Sequence, residues 1–343
     1  MHRRIVTCVA LAFAFSAAAL GASLRPAAAA PVAQLKHIYY IMMENQGFDD
    51  VIGHENAAYA LDAPFITQLA FTYGLETMSF GTTHPSLPNY LSLIAGNYFG
   101  IQDDNASCYA VPKQSPCDTA KGTNLVDLLE ARGMTWLDMQ QSMPSVGYLG
   151  PQFPTSTNGP THYAQKHNPF LYFSDIVNNK SRMQKVVPLT TTSLAATVSN
   201  PATAPNFVFL VPDECHDMHG TTDCANNDKL LMEGDKYVQY LVTTIMKSKA
   251  WGIDSAIIIA WDENDYSSNI GCCGSPYPHG GGHDPLIVIT KAYRTPIEIA
   301  TPSNHYNELR SIEDAFGLPH IGNSATQPPS LDPLLYPWLN SAP

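Results

Sequence analysis

Charge is scarce in this chain, and positive charge scarcer: 14% of its 343 residues are charged, with 18 Lys and Arg against 30 Asp and Glu. A net charge of −12, with no Lys/Arg cluster in the body of the chain, excludes a nucleic-acid binder, which needs a basic surface. Long apolar runs are missing too. The only approach to membrane-spanning length is Ile5 to Leu20, and small residues and Pro26 end it early. Led by Arg3 and Arg4 and followed by Ala27 to Ala29, that stretch reads as a cleavable signal peptide over residues 1–30. The protein is therefore expected outside the cytoplasm, secreted or periplasmic, with no transmembrane segment in the mature chain. No internal repeat, linker or low-complexity tract follows, so residues 31–343 read as one domain.

With 45% hydrophobic residues the chain can bury a sizeable core, while 27 prolines and 22 glycines imply much ordered loop. Cys8 leaves with the signal, so six cysteines remain: Cys108, Cys117, Cys215, Cys224, Cys272 and Cys273. An even count in an exported chain points to disulfides, and the C-x-x-C repeat of a structural zinc site is absent. Cys108 with Cys117 and Cys215 with Cys224 are the local pairings; Cys272 and Cys273 either bond each other or bridge elsewhere.

Several apolar runs have strand length: 35–43, 74–80, 134–139, 206–211, 255–261 and 285–289. Helical stretches separate them, at 65–71, behind Ser86, at 124–131, from Leu231 to about Lys247, and at 305–316. Alternation of this kind predicts an α/β fold with a mostly parallel central sheet covered on both faces. Between Gln140 and Pro188 no period emerges, and a long insertion over the active-site rim is expected, with a polar and aromatic knot at Tyr163 to Phe170.

Three of the strands run into carboxylates: Glu44, then Asp213 to Asp217, then Asp262 and Glu263. Parallel strands deliver their carboxyl ends to one edge of the sheet, where three acidic clusters would repel each other without a cation. His216, His219, His279 and His283 lie close by in sequence. The stretch Thr83-His84-Pro85-Ser86-Leu87-Pro88-Asn89-Tyr90 precedes an apolar helical run. That spacing predicts Ser86 as the helix N-cap, where N–H groups and the helix dipole favour a phosphate or sulfate ester. A cation beside it would make the hydroxyl a nucleophile toward phosphorus, giving a phosphoseryl intermediate that water then hydrolyses.

The segment Ser86-Leu87-Pro88-Asn89-Tyr90-Leu91-Ser92-Leu93-Ile94-Ala95-Gly96 resembles the nucleophile turn of the alkaline-phosphatase superfamily. With Met43-Glu44-Asn45, Lys166-His167-Asn168-Pro169, Asp217-Met218-His219, Trp261-Asp262-Glu263-Asn264-Asp265 and His305-Tyr306-Asn307-Glu308-Leu309, it is more closely similar to the phosphoesterase family of bacterial secreted acid phosphatases and phospholipases C. The resemblance covers about residues 37 to 320 and implies an alkaline-phosphatase-like three-layer α/β/α domain. It implies Ser86 as nucleophile and Asn89 as a donor to phosphate oxygen. Glu44, Asn45, Asp262 and Glu263 would hold a divalent metal ion, with Asp217 and His219 binding a second ion or the phosphate. His283 would be a last ligand, with His279 its alternative. Because Glu263 stands where the superfamily usually has His, a single Ca²⁺, Mg²⁺ or Mn²⁺ competes with a two-zinc site.

His84, His167 and His305 either hold the structure by hydrogen bonds or act on substrate, contacting phosphate or protonating the leaving alcohol. The leading expectation is a secreted, metal-dependent phosphatase acting on monoesters, small-molecule or lipid-headgroup. The alternatives are a phospholipase C or other phosphodiesterase on the same scaffold, and a non-catalytic phosphate- or glycan-binding protein. A sulfatase is disfavoured because the C/S-x-P-x-R setting of its modified nucleophile is absent.

Overall fold

The apolar runs become the middle of one sheet in a computed structural model that describes residues 35–337, apart from 53–61, 106–119, 156–158, 225–226, 277–278 and 294. The signal segment and the Cys108 with Cys117 pairing lie outside the described residues. The strands are β1 (His37–Met43), β2 (Gly74–Phe80), β3 (Trp136–Gln141), β4 (Gln152–Phe153), β5 (Tyr163–Ala164), β6 (Val186–Leu189), β7 (Phe207–Val211), β8 (Ser255–Trp261), β9 (His283–Thr290), β10 (Ile297–Ile299) and β11 (Ser303–Asn304). The helices are α1 (Phe48–Val51), α2 (Pro64–Ala70), α3 (Ser86–Ala95), α4 (Leu125–Ala131), α5 (Ser174–Val177), α6 (Lys180–Met183), α7 (Thr191–Thr197), α8 (Asn227–Met246), α9 (His305–Phe316) and α10 (Asp332–Leu335).

The main sheet has nine strands in the order β10-β2-β9-β8-β1-β7-β3-β6, with β11 beside β2. Its pairings are parallel except that β9 runs antiparallel to both β2 and β8. Alternation along β1 divides the core. Ile38, Tyr40 and Met42 face a layer containing α3, α4 and α9, whereas Tyr39, Ile41 and Met43 face α2 and α8. Every residue of β1, β7 and β8 is buried, as expected of strands covered on both faces. The fold is thus a three-layer α/β/α arrangement around a mostly parallel sheet. Every described residue belongs to one compact unit, Val32–Pro343.

Within 140–188 the expected insertion is more regular than the sequence indicated. It holds the small antiparallel hairpin β4–β5, two single turns of 3₁₀ helix, and β6, which joins the main sheet beside β3. Cys215 bonds Cys224, and Cys272 bonds its neighbour Cys273. Among the described residues no helix is long and apolar enough to cross a membrane.

Candidate active site

The carboxyl ends of β1, β2, β7 and β8 share one edge of the sheet, and the register brings their tips together. Met43 pairs with Trp261, Asp262 N–H donates to Met43 O (3.1 Å), and Glu44 N–H donates to Asp217 O (2.8 Å). Glycine allows the last approach. Gly281 N–H donates to Gly81 O (2.8 Å), and a Cβ on Gly281 would lie 2.6 Å from Gly81 Cα. The loop after β8 therefore reaches the end of β2, where the chain turns into α3.

Ser86 does not cap that helix. Pro85 occupies the N-cap position, no side chain closes the cap, and Ser86 is the first helical residue. Its hydroxyl is used elsewhere: Ser86 Oγ lies 3.1 Å from Glu44 Oε2 and 3.2 Å from Glu263 Oε1. The Leu87 N–H, one of the helix's unpaired donors, goes to Asp104 Oδ1 (3.0 Å). Asn89 accepts from Thr83 N–H (2.9 Å) and donates to Thr83 O (2.7 Å) and Pro85 O (3.2 Å). Both of its amide protons are spent on the turn, so it is a clamp for Ser86 and offers no proton to a phosphate oxygen here.

On one flank, Tyr90 OH donates to Glu44 Oε1 (2.5 Å), and His167 Nε2 lies 3.0 Å from the same oxygen. His167 Nδ1 faces Glu214 at 3.5 Å and Asp217 at 3.6 Å. Burial, then the Lys166 charge, holds His167 well below the usual imidazole range, so it stays neutral. His219 Nδ1 is 2.8 Å from Glu214 Oε2. Burial works against its charge, but Glu214 raises it to about 10. Lys166 Nζ sits 3.3 Å from both Asp104 Oδ2 and His219 Nε2.

On the other flank, His84 Nδ1 meets Glu263 Oε2, its Nε2 is 3.3 Å from Ser268 O, and its ring stacks on Tyr266. Burial opposes its charge, but Glu263 raises its pKa above the ordinary value. Asn45 N–H reaches Asp262 Oδ1 (3.3 Å) and its Nδ2 donates to Glu263 Oε1 (3.2 Å). Glu44, Asp262 and Asp217 are fully buried, and their pKa values are pushed well above the carboxylate range, first by burial and then by neighbouring carboxylates.

The structure thus gathers Glu44, Asn45, Ser86, His167, Asp217, His219, Asp262 and Glu263, with His84 against Glu263. Two expected residues stand apart. His305 is fully buried behind the site, with Nε2 2.7 Å from the main-chain O of Asp262 and Nδ1 3.0 Å from Glu308 Oε1. It can position Asp262 but cannot touch a substrate. His283 begins β9 at the correct edge, yet its ring stacks on Phe48 and packs by Phe80, with Nε2 3.0 Å from Thr77 O. Its alternative, His279, is exposed. The tightest groups of His, Cys and carboxylate atoms among the described residues lie elsewhere, around His162, Asp213 and the Cys215–Cys224 disulfide, whose sulfurs are already bonded.

Sequence reasoning passed over Tyr90, Asp104, Lys166 and Glu214 as site residues. Tyr90 carried a signal: it stands four residues after Ser86, one helical turn along the same face.

Fold and site define an α/β phosphoesterase architecture. A protein of the alkaline phosphatase superfamily from Vibrio parahaemolyticus superposes with a TM-score of 0.54 at 13% identity, covering 87% of this chain and 71% of that one. Residues 58–319 match the Phosphoesterase family, and the chain belongs to it. A Kluyveromyces lactis protein named "Probable acid phosphatase" is 25% identical over 295 residues, 84% of this chain and 60% of the relative. The phosphatidylinositol-3-phosphatase of Mycobacterium tuberculosis is 27% identical over 305 residues, 89% of this chain and 85% of that protein. The chain spans about three fifths of the length of the yeast relative.

Proposed function

We propose that this chain is an exported, metal-dependent phosphatase that hydrolyses phosphate monoesters through a phosphoserine at Ser86. One observation carries the reading: Ser86 Oγ stands at the N-terminus of α3, free of any capping bond, between the carboxylates of Glu44 and Glu263. A receptor would need no such hydroxyl. The names of the two relatives favour monoester chemistry. The disulfides Cys215–Cys224 and Cys272–Cys273 favour an oxidising compartment.

The donors fit a divalent cation. Asn45 Oδ1 and Asp262 Oδ2 are buried acceptors with no hydrogen-bond donor among the described residues. Their residues are bonded to each other and to Glu263, and with Glu44 and Ser86 they make a set of oxygen ligands suited to Ca²⁺, Mg²⁺ or Mn²⁺. Such a cation would neutralise the carboxylates and polarise the phosphate oxygens. The chain supplies the rest. Ser86 Oγ attacks phosphorus while its proton passes to the carboxylate it already faces. The bond from phosphorus to the alcohol oxygen breaks, and charge building on that oxygen is met by Lys166 and His219. Water then attacks the phosphoserine, and Ser86 recovers a proton as it leaves. Asn89 fixes the turn, and His84 holds Glu263 in place.

The test is turnover of p-nitrophenyl phosphate and bis(p-nitrophenyl) phosphate, each with and without chelator, by wild type and Ser86→Ala. Monoester turnover that is lost on chelation, and reduced by roughly three orders of magnitude or more in Ser86→Ala, is expected. Preference for the diester would make the protein a phosphodiesterase, and turnover of neither would remove the enzyme reading.

A further inference from the structure

The Cys215–Cys224 disulfide sits among metal-ligating side chains that the phosphoesterase chemistry does not use. His162 Nδ1 lies 4.0 Å from Cys215 Sγ and 3.9 Å from Asp213 Oδ2, and these three atoms are all within 4.8 Å of one another. A carboxylate oxygen of Asp223 is within 4.8 Å of both sulfurs. The residues come from three places: His162 leads into β5, Asp213 and Cys215 follow β7, and Cys224 precedes α8. Two hydrogen bonds tie the hairpin to the loop, Glu214 N–H to His162 O (3.0 Å) and Thr161 N–H to Thr221 Oγ1 (3.1 Å). The His162 ring is aimed by a carboxylate. Its Nε2 is 3.0 Å from Asp223 Oδ2, so Nε2–H donates there and Nδ1 of the neutral ring turns its lone pair toward Cys215 and Asp213. A carboxylate on the far nitrogen is the usual partner of a metal-binding imidazole. Asp213 is held as firmly: Ser142 Oγ donates to its Oδ2 (2.6 Å), and His216 Nδ1 is 2.6 Å from its Oδ1. Thr221 N–H donates to Cys224 Sγ (3.3 Å), a bond that favours a thiolate at that sulfur.

We propose that, once this disulfide is reduced, Cys215, Cys224, His162 and Asp213 bind one Zn²⁺. Zinc takes thiolate, imidazole and carboxylate ligands in a tetrahedron, with bonds of about 2.3 Å to sulfur and about 2.0–2.2 Å to nitrogen and oxygen. Its ligand atoms are then about 3.3–3.8 Å apart, roughly half an ångström inside the distances His162 keeps here. The Cα atoms of Cys215 and Cys224 are 5.7 Å apart, which lets the freed sulfurs part by rotation of their side chains. The reductant is an external dithiol that attacks the partly exposed Cys224. Two electrons break the S–S bond, the sulfurs take up two protons, and the dithiol closes into its own disulfide. Zinc then displaces both thiol protons to solvent. The site belongs to the chain before this disulfide closes or after it is reopened, and it does not depend on the role of Ser86.

The test adds Co²⁺ and then Zn²⁺ to protein reduced with dithiothreitol and freed of it without air. Reduced wild type should bind Co²⁺ with a thiolate charge-transfer band and the d–d bands of a tetrahedral ion. Zn²⁺ should remove both, and both should be missing from the oxidised protein and from Cys215→Ser/Cys224→Ser. Bands of equal strength in that variant would put the ion on other cysteines and overturn the proposal. Asp223 is half-exposed, so Asp223→Ala should fold, with zinc affinity about 10- to 100-fold lower. An unchanged affinity would overturn the assignment of His162. Wild type alone also decides: Zn²⁺ should protect Cys215 and Cys224 of the reduced protein from alkylation, read by mass spectrometry after digestion. Alkylation of the two at the same rate with and without Zn²⁺ would overturn the proposal.

Discussion

Tyr90→Phe should loosen the cation site without touching any atom that reacts. Tyr90 is fully buried, and its OH donates to Glu44 Oε1 at 2.5 Å while Glu44 Oε2 faces Ser86. Phe fills the same space, so the change removes one proton donor and little packing. A hydrogen bond to a charged group contributes about 1.5–3 kcal/mol. At about 1.36 kcal/mol per factor of ten, this corresponds to roughly a 10- to 150-fold loss of cation affinity, in line with the about 10- to 100-fold measured for partners of metal ligands elsewhere. Stripped wild type and variant would be titrated with Mg²⁺, Ca²⁺ or Mn²⁺ in buffered series, with monoester turnover as the readout. The midpoint should move by about one to two decades, while kcat at saturating cation changes far less. An unmoved midpoint, or a fall in kcat at saturation alone, would show that Tyr90 does not hold Glu44 for a cation.

Gly281→Ala should be among the most damaging small substitutions, because its Cβ would meet backbone of Gly81 and Thr83 at 2.6 Å and push the β8 loop from the Ser86 turn; the expected result is a lower urea midpoint together with lost turnover, and a neutral variant would contradict the packing. His305→Ala takes away the donors to Glu308 Oε1 and to the Asp262 carbonyl, leaving Glu308 only its bond from Tyr40 OH, and should cost about 1–3 kcal/mol in urea unfolding, an unchanged midpoint being the contrary result. Asp138 is fully buried, and burial raises its carboxyl to about 8 despite the opposing hydrogen bond from Gln140. A folded pKa above the unfolded one means the folded state binds more protons in between. Its stabilisation is therefore complete below the unfolded pKa and is lost as pH rises through about 8. Asp138→Asn should lose less stability than wild type between about pH 6 and pH 9, and parallel urea midpoints would refute the assignment.

The layers of this fold were legible because continuous apolar strands ending in carboxylates have few alternatives. The carboxyl tips of β1 and β8 meet as the sequence implied, since adjacent parallel strands must end side by side. Three features were hidden for separate reasons. Strand β6 carries Pro188 and is only four residues long, which reads as loop, but at the sheet edge beside β3 it needs few donors. The reversed direction of β9 leaves no mark, because an apolar run looks the same read either way. The helix start behind Pro85 came one residue early, and spacing alone cannot separate a cap from a first helical residue; only the position of the Ser86 hydroxyl between two carboxylates does so. Residues of the right type were easiest to misplace. A His at the head of β9 reaches the correct edge, yet its ring packs between Phe48 and Phe80. His305 stops at the main chain of Asp262 because α9 lies behind the strand ends. Lys166 could be seen beside His167 in sequence, but its place beside Asp104 and His219 depends on chain segments 62 residues before it and 53 residues after it.

The most direct measurement is to quench the protein in acid during turnover of a phosphate monoester, digest it, and search the fragments by mass spectrometry for covalent phosphate. A phosphorylated peptide containing Ser86 is expected, absent from Ser86→Ala and from chelated protein. Steady turnover with phosphate on another residue, or undiminished turnover by Ser86→Ala, would contradict the assignment of Ser86 as the nucleophile.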